Sequence, residues 1–234
     1  MNTEQKMNVA CQLSLVRSTL PESVTLVAVS KTHPVEALCA AYDAGQRIFG
    51  ESRPQELAEK QKALPKDIEW HMIGHLQTNK IKLIAPFVAL IHSVDSAHLA
   101  EAIQREAAKC GRTIDILLEI RVAAEDTKTG WDFTELMQYV RSAPFARMNN
   151  IRVRGVMGIA TNTTDARTIR HDFGELKRCF DLLQPHFGGR FDTLSMGMSH
   201  DYGYAVECGA TMVRVGSLIF GERDYSQKPE AVML

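Results

Sequence analysis

Apolar residues along this chain gather in short runs separated by longer segments of mixed polarity. The first run, Val24-Thr25-Leu26-Val27-Ala28-Val29, is brief, almost continuous and rich in β-branched residues, and it closes on Ser30-Lys31. A run of that kind predicts a strand covered on both faces, as in a parallel sheet. Similar runs occupy 47–51, 69–74, 88–94, 114–120, 151–159, 191–196 and 211–216. Between them the apolar spacing changes to three and four, the period of a helix face. Leu13, Val16 and Leu20 mark a helix over 3–19 that Pro21 stops. Pro34 opens a second, with Val35, Leu38, Cys39 and Tyr42 on one stripe and Gly45 as its terminator. Further helices are predicted over 54–62, 77–84, 133–141 and 200–207. Asp95 or Ser96 caps another, which carries Leu99, Ile103 and Ala107 and ends at Gly111. The longest runs over 165–183, with Ile169, Phe173, Leu176, Phe180 and Leu183 in a regular three/four stripe.

Eight strands alternating with helices, with no linker and no shift in composition, predict an α/β fold with a parallel sheet. The 234 residues suit a single (β/α)8 TIM-type barrel. An open doubly wound sheet is the competing arrangement, and the missing glycine-rich fingerprint after the first strand weighs against its dinucleotide-binding form. The expected domain is one barrel over 1–225, followed by a loosely packed tail over 226–234.

Composition narrows the function classes. A net charge of −1 leaves no electrostatic footprint for nucleic acid or a membrane surface. No apolar run approaches the roughly 20 residues of a membrane span. Residues 1–7 are polar and unlike a signal peptide. The five cysteines are scattered, with no C-x-x-C pair, which argues against a disulfide framework or a zinc site and points to a reducing, cytoplasmic setting. Cys39, Cys110 and Cys179 read as small apolar residues of helices. No His or carboxylate spacing suits a metal, so none is expected.

Candidate chemistry gathers at strand ends. A lysine closing a buried strand either reaches water or loses hydration, and a dehydrated amine is deprotonated more readily. Lys31 is therefore either a strand terminator or an amine for Schiff-base chemistry. In a barrel of this kind ligands bind at the C-terminal strand ends, with phosphates commonly after the seventh and eighth strands. Gly197-Met198-Ser199 and Gly216-Ser217 stand at those two places. Ser199 would cap the short helix that follows or offer its hydroxyl to an anion, and ordinary turn chemistry remains the alternative for both loops. Arg214 shares a strand face with Gly216 and requires an acceptor: a carboxylate, a carbonyl or a ring nitrogen. A pyridine nitrogen facing an arginine stays unprotonated, which disfavours carbanion chemistry. Glu51-Ser52-Arg53 is positioned to orient groups around Lys31, and Glu119 and Met157 stand at other strand ends. His71 and His92 read as satisfied core histidines, and Lys128 as a solvated loop lysine.

Taken together and in order, several segments resemble the pyridoxal phosphate homeostasis proteins, small relatives of the alanine racemase barrel. These are Leu26-Val27-Ala28-Val29-Ser30-Lys31-Thr32, Phe49-Gly50-Glu51, Trp70-His71-Met72-Ile73-Gly74-His75-Leu76-Gln77, Arg154-Gly155-Val156-Met157, Leu194-Ser195-Met196-Gly197-Met198-Ser199 and Met212-Val213-Arg214-Val215-Gly216. The resemblance implies an alanine-racemase-like barrel that binds pyridoxal 5'-phosphate (PLP), with Lys31 as the Schiff-base lysine. It implies Ser199, Gly216 and Ser217 as phosphate contacts and Arg214 at the pyridine nitrogen. Met198, Met157 and Ser52 complete the implied lining, Ser52 replacing the asparagine usual after Phe-Gly-Glu. The implied role is PLP homeostasis, buffering or delivery, without catalysis, with apo-forms of PLP enzymes as recipients. The chain stops shortly after Gly221, which leaves no room for the racemases' second domain and points to a monomer. A PLP-dependent enzyme such as a weak amino-acid racemase is the alternative; it needs an acid/base group opposite Lys31. A sugar-phosphate enzyme with a lysine imine is a third reading.

Overall fold

The computed structural model describes residues 3–125 and 129–222. Lys128 and the 226–234 tail lie outside the described residues. Eight parallel strands form a closed barrel in chain order: β1 (Thr25–Val29), β2 (Ile48–Glu51), β3 (Glu69–Met72), β4 (Leu90–Val94), β5 (Ile114–Glu119), β6 (Ile151–Met157), β7 (Thr193–Ser195) and β8 (Met212–Val215). β8 pairs back onto β1, with Val27 beside Arg214 and Ala28 beside Val215. That closure excludes the open sheet and leaves no unpaired sheet edge.

The helices follow the predicted pattern: α1 (Thr3–Ser18), α2 (Val35–Asp43), α3 (Pro54–Ala63), α4 (Ile81–Ile84), α5 (Ala97–Lys109), α6 (Phe133–Arg141), α7 (Ala166–Phe187), α8 (Tyr202–Glu207) and α9 (Ser217–Phe220). Ser96 caps α5 by accepting from the Leu99 N–H, and Asp165 caps α7 through the N–H groups of Arg167 and Thr168. α7 continues past the expected end, through Pro185 to Phe187. Phe187 stacks on Phe191 with ring centres 5.0 Å apart, and that packing holds the last turn although Pro185 lacks an N–H. The short α9 carries no periodic signal and was not predicted. Cys110, read as a small apolar residue of a helix, is the exposed C-cap of α5, whereas Cys179 is buried in α7.

Period two along each strand divides the buried side chains into two cores. The larger lies between barrel and helices and includes Phe49, Trp70, Ile116, Phe173 and Leu176. The smaller fills the barrel interior: Val27, Leu90, Leu117, Met157 and Met212. This inner plug separates the two ends of the barrel. At the N-terminal end a cavity of ≈ 390 Å³ is bordered by His71, Asp115, Arg154 and Asp192. Its charges serve one another, since Arg154 bridges Asp115 and Asp192, each at 2.8 Å. The C-terminal end carries the candidate chemistry.

Phe173 is fully buried in the middle of the α7 stripe. Phe173→Ala should destabilise the protein by about 3–5 kcal/mol, read as a lower urea midpoint with an unchanged slope.

Candidate functional site

Lys31 reaches the barrel mouth because of strand parity. Val27 belongs to the inner core, and Val29 meets Gly216 across the barrel wall, where a Cβ on the glycine would lie 3.2 Å from the Val29 Cβ. Lys31 follows on that same inward side. Ser30 turns outward, toward α3, into a buried polar cluster. Its Oγ donates to Glu51 Oε1 at 2.6 Å. Lys60 Nζ, from α3, donates to the Ser30 carbonyl at 2.7 Å, to Glu51 Oε1 at 2.8 Å and to Glu56 Oε1 at 2.7 Å. Glu56 Oε1 also accepts the Thr32 N–H at 2.6 Å. Thr32 adopts a left-handed backbone, φ 68°. For a β-branched residue this costs about 1–3 kcal/mol, a strain that persists only where the surroundings enforce it. Here both neighbours of Lys31 are tied to one cluster outside the barrel, which fixes the backbone that carries the lysine. Burial raises the Glu51 carboxyl to about 7, against the pull of Lys60.

Arg214 is the second inward group. Its Nη1 donates to Ser195 Oγ at 2.7 Å and its Nη2 to the Gly158 carbonyl at 3.0 Å. Burial lowers its pKa to about 10, which leaves it a cation at neutral pH. Ser195 Oγ lies 3.0 Å from His92 Nδ1, and His92 Nε2 lies 3.0 Å from His71 Nδ1, so arginine, serine and the two imidazoles form one buried hydrogen-bonded chain. Both imidazoles are neutral, since burial lowers His71 to about 3 and His92 well below the usual value. They are satisfied core histidines, as their strand context predicts.

The two loops after β7 and β8 meet. Ser199 Oγ accepts the Gly216 N–H at 3.2 Å. The N-cap of α8 is Asp201, not Ser199, which corrects the expected capping role: Ser199 lies upstream of the helix and is drawn to β8 instead. Gly216 is required by close approach, because a Cβ there would stand 2.9 Å from the Val29 carbonyl oxygen. Ser217 begins α9, whose first N–H groups have no acceptor within the helix. Met198 is exposed above this junction, whereas Met157 is buried in the inner plug. Ser52 presses against Gly74, where a Cβ would come within 2.7 Å of its own. Lys31, Arg214, Gly216 and the Ser199–Gly216 junction thus share one mouth, while Met157 forms its floor.

Two contributors escape sequence reading. Lys60 looks like one more solvated helix lysine, although its i,i+4 spacing from Glu56 was a usable signal. Glu119 stands out only in three dimensions: it is 7% exposed and its Oε2 has no partner among the described residues.

Lys60→Met would leave Glu51 buried without its cation and should cost about 3–5 kcal/mol of stability; chemical denaturation measures it. The pH dependence of His71 has a definite sign. Its folded pKa lies below the unfolded one, so the unfolded chain binds more protons between about 6.5 and 3 and stability falls as pH drops through that window. The stability advantage of wild type over His71→Asn should therefore shrink on acidification, by up to about 1.4 kcal/mol per pH unit, in denaturant titrations at stepped pH.

Comparison with known proteins agrees with this architecture. The family model for the alanine racemase N-terminal domain matches residues 7–224. The pyridoxal phosphate homeostasis protein of Aquifex aeolicus is 42% identical over 204 residues, covering 86% of this chain and 87% of the relative. That of Escherichia coli K12 is 37% identical over 219 residues, covering 89% of each. Among solved structures, PipY of Synechococcus elongatus with PLP bound superposes with a TM-score of 0.83 at 39% identity, over 91% of this chain and 100% of PipY. Alanine racemase of Bartonella henselae, at 16% identity and TM-score 0.72, shares the fold over 96% of this chain and 61% of its own. Barrel, segment order and identity together show that the chain belongs to the pyridoxal phosphate homeostasis protein family, within the alanine racemase N-terminal domain group.

Proposed function

We propose that this protein holds pyridoxal 5'-phosphate as a Schiff base on Lys31 and serves intracellular PLP homeostasis, by buffering and delivery, without turning over a substrate. The observation that carries this reading is the convergence on one end of the barrel of an amine, a buried cation and the joined loops of Ser199 and Gly216. Lys31 is held by a strained turn, Arg214 is a buried cation, and Gly216 leaves no room for a side chain. The residues fit the group on chemical grounds: the aldehyde needs an amine, the phosphate needs N–H and hydroxyl donors, and the ring needs a partner that does not share a proton with it. PipY, solved with PLP bound, supports the same reading.

In this reading Ser199, Gly216 and Ser217 bind the phosphate and Arg214 faces the ring nitrogen. Met198 and Ser52 border the ligand from above and Met157 from below. Because Arg214 remains a cation, it withholds a proton from the ring and keeps the cofactor a weak electron sink, which suits storage over catalysis. When bound, the group supplies an aldehyde that condenses reversibly with an amine. The turn at Thr32, the Lys60 cluster and the Arg214–Ser195–His92–His71 chain keep the receiving side chains in place beforehand, which lowers the ordering cost of binding. Apo-forms of PLP enzymes are the recipients, and the protein acts as a cytoplasmic monomer.

Addition of PLP should produce a visible imine band in the absorption spectrum. Borohydride reduction followed by peptide mapping should place the label on Lys31, and Lys31→Ala should abolish both band and label. A label on another lysine would sink the assignment.

A further inference from the structure

In a ring of eight paired strands, β5 stands across the axis from β1. The C-terminal end of β5 therefore faces the end that bears Lys31. Leu117 fills the inner plug, and Glu119, two residues further on, turns the same way into the mouth. It borders a cleft of ≈ 110 Å³ at its own side of the mouth, together with Arg121, Thr129 and Ile159. Thr129 Oγ1 donates to Glu119 Oε1 at 3.0 Å, and Oε2 has no hydrogen-bond partner among the described residues.

Among the described residues, the one hydrogen bond to this carboxyl comes from Thr129. Arg214, on β8, directs Nη1 and Nη2 to Ser195 and Gly158. His75, after β3, lies 3.4 Å from Asp95, after β4, and both act on Glu119 only at a distance. Arg121, after β5, is exposed. From β6 come Met157 and Ile159, which carry no charge. Burial raises the carboxyl's pKa, with Thr129 and Arg214 opposing. An unpaired oxygen on a buried carboxyl costs stability, and an apolar residue would avoid the cost. A buried carboxyl with one bonded and one bare oxygen, close enough to Arg214 to feel its charge, is the arrangement of a group that exchanges a proton.

Resting on the reading of Lys31 above, we propose that Glu119 is the acid/base group of this site, exchanging protons with Lys31 Nζ and with the oxygen of the aldehyde that condenses there. In condensation the nitrogen lone pair forms a C=N bond to the aldehyde carbon and the C=O bond breaks. The oxygen departs as water, with both protons that the neutral amine gives up. Glu119 delivers a proton to that oxygen and recovers one from the nitrogen, ending as it began. Water reverses the sequence through the same carboxyl. Nothing is oxidised or reduced. Since one group serves both directions, it sets how fast the cargo is loaded and released and leaves the equilibrium unchanged.

The test compares wild type, Glu119→Gln and Glu119→Asp in stopped-flow absorbance with PLP, for loading and for release into excess hydroxylamine, across pH. Glu119→Gln should slow both steps about tenfold or more and lose the carboxyl limb of the pH profile, with an unchanged equilibrium dissociation constant. Glu119→Asp should restore part of the rate. In the cofactor-free protein, carbon-13 NMR should find, besides Glu51, a second carboxyl titrating above the usual range that is missing from Glu119→Gln. Equal rates in wild type and Glu119→Gln, a loss of affinity without a change in the pH profile, or no such carboxyl would each overturn the assignment of Glu119 alone. A wild type that forms no band with PLP would overturn the Lys31 reading and this one together.

Discussion

The Lys60 ammonium, buried between β1, β2 and α3, has its three protons directed at the Ser30 carbonyl, Glu51 and Glu56. Three donors meeting three acceptors is the condition under which a buried charge is tolerated, and here it does more than that. One of its acceptors, Glu56, also holds the Thr32 N–H, and another, Glu51, also holds the Ser30 hydroxyl. The residues before and after Lys31 are consequently fastened to one point outside the barrel. That fastening supports a left-handed threonine and fixes the backbone on either side of the lysine. Without it Lys31 would end a strand as an ordinary flexible lysine and would have to pay the entropy of ordering at the moment of binding.

The far wall of the mouth is organised on the same principle with different chemistry. Arg214 is held by a serine, a carbonyl and a pair of neutral histidines rather than by a carboxylate. A cation paired this way keeps its charge available to a ligand, because no carboxylate is hydrogen-bonded to it and Asp201 and Glu119 act on it only at a distance. Glu119 is near enough to feel Arg214 but is not bonded to it. The two halves of the mouth thus present an amine, an uncancelled cation and an unsatisfied carboxyl across a space floored by apolar side chains. Low dielectric and fixed dipoles make each of these groups more effective there than in water.

This arrangement also explains how one barrel serves both enzymes and carriers. The shared fold with alanine racemase at 16% identity concerns where strands and loops stand, not what is done there. Chemistry on a cofactor of this type depends on how protons are supplied to it. On the reading proposed above, a ring nitrogen faced by Arg214 and an exchangeable carboxyl at Glu119 would suit the making and breaking of a single C=N bond. They are poorly suited to stabilising a carbanion.

The barrel was legible from the chain because its strands are short apolar runs and its helices carry strict three/four stripes. Both patterns follow from burial and are local. That Arg214 and Gly216 share one strand face was legible for the same reason, since parity along a strand is a property of neighbours in sequence. Motif order identified the family before any coordinate was known. What the chain alone left undecided depends on groups distant in sequence. Closure of the barrel rests on β8 meeting β1, from opposite ends of the described chain. The attachment of Thr32 to Glu56 spans α2 and β2. Ser199 looked like a helix cap because sequence shows only the helix beside it; the Gly216 N–H that it actually serves arrives from the next strand. Glu119 read as one polar residue at a strand end because the missing partner of a carboxyl oxygen is a fact about everything around it. Local pattern records burial and parity, whereas hydrogen-bond satisfaction is settled only when the elements are assembled.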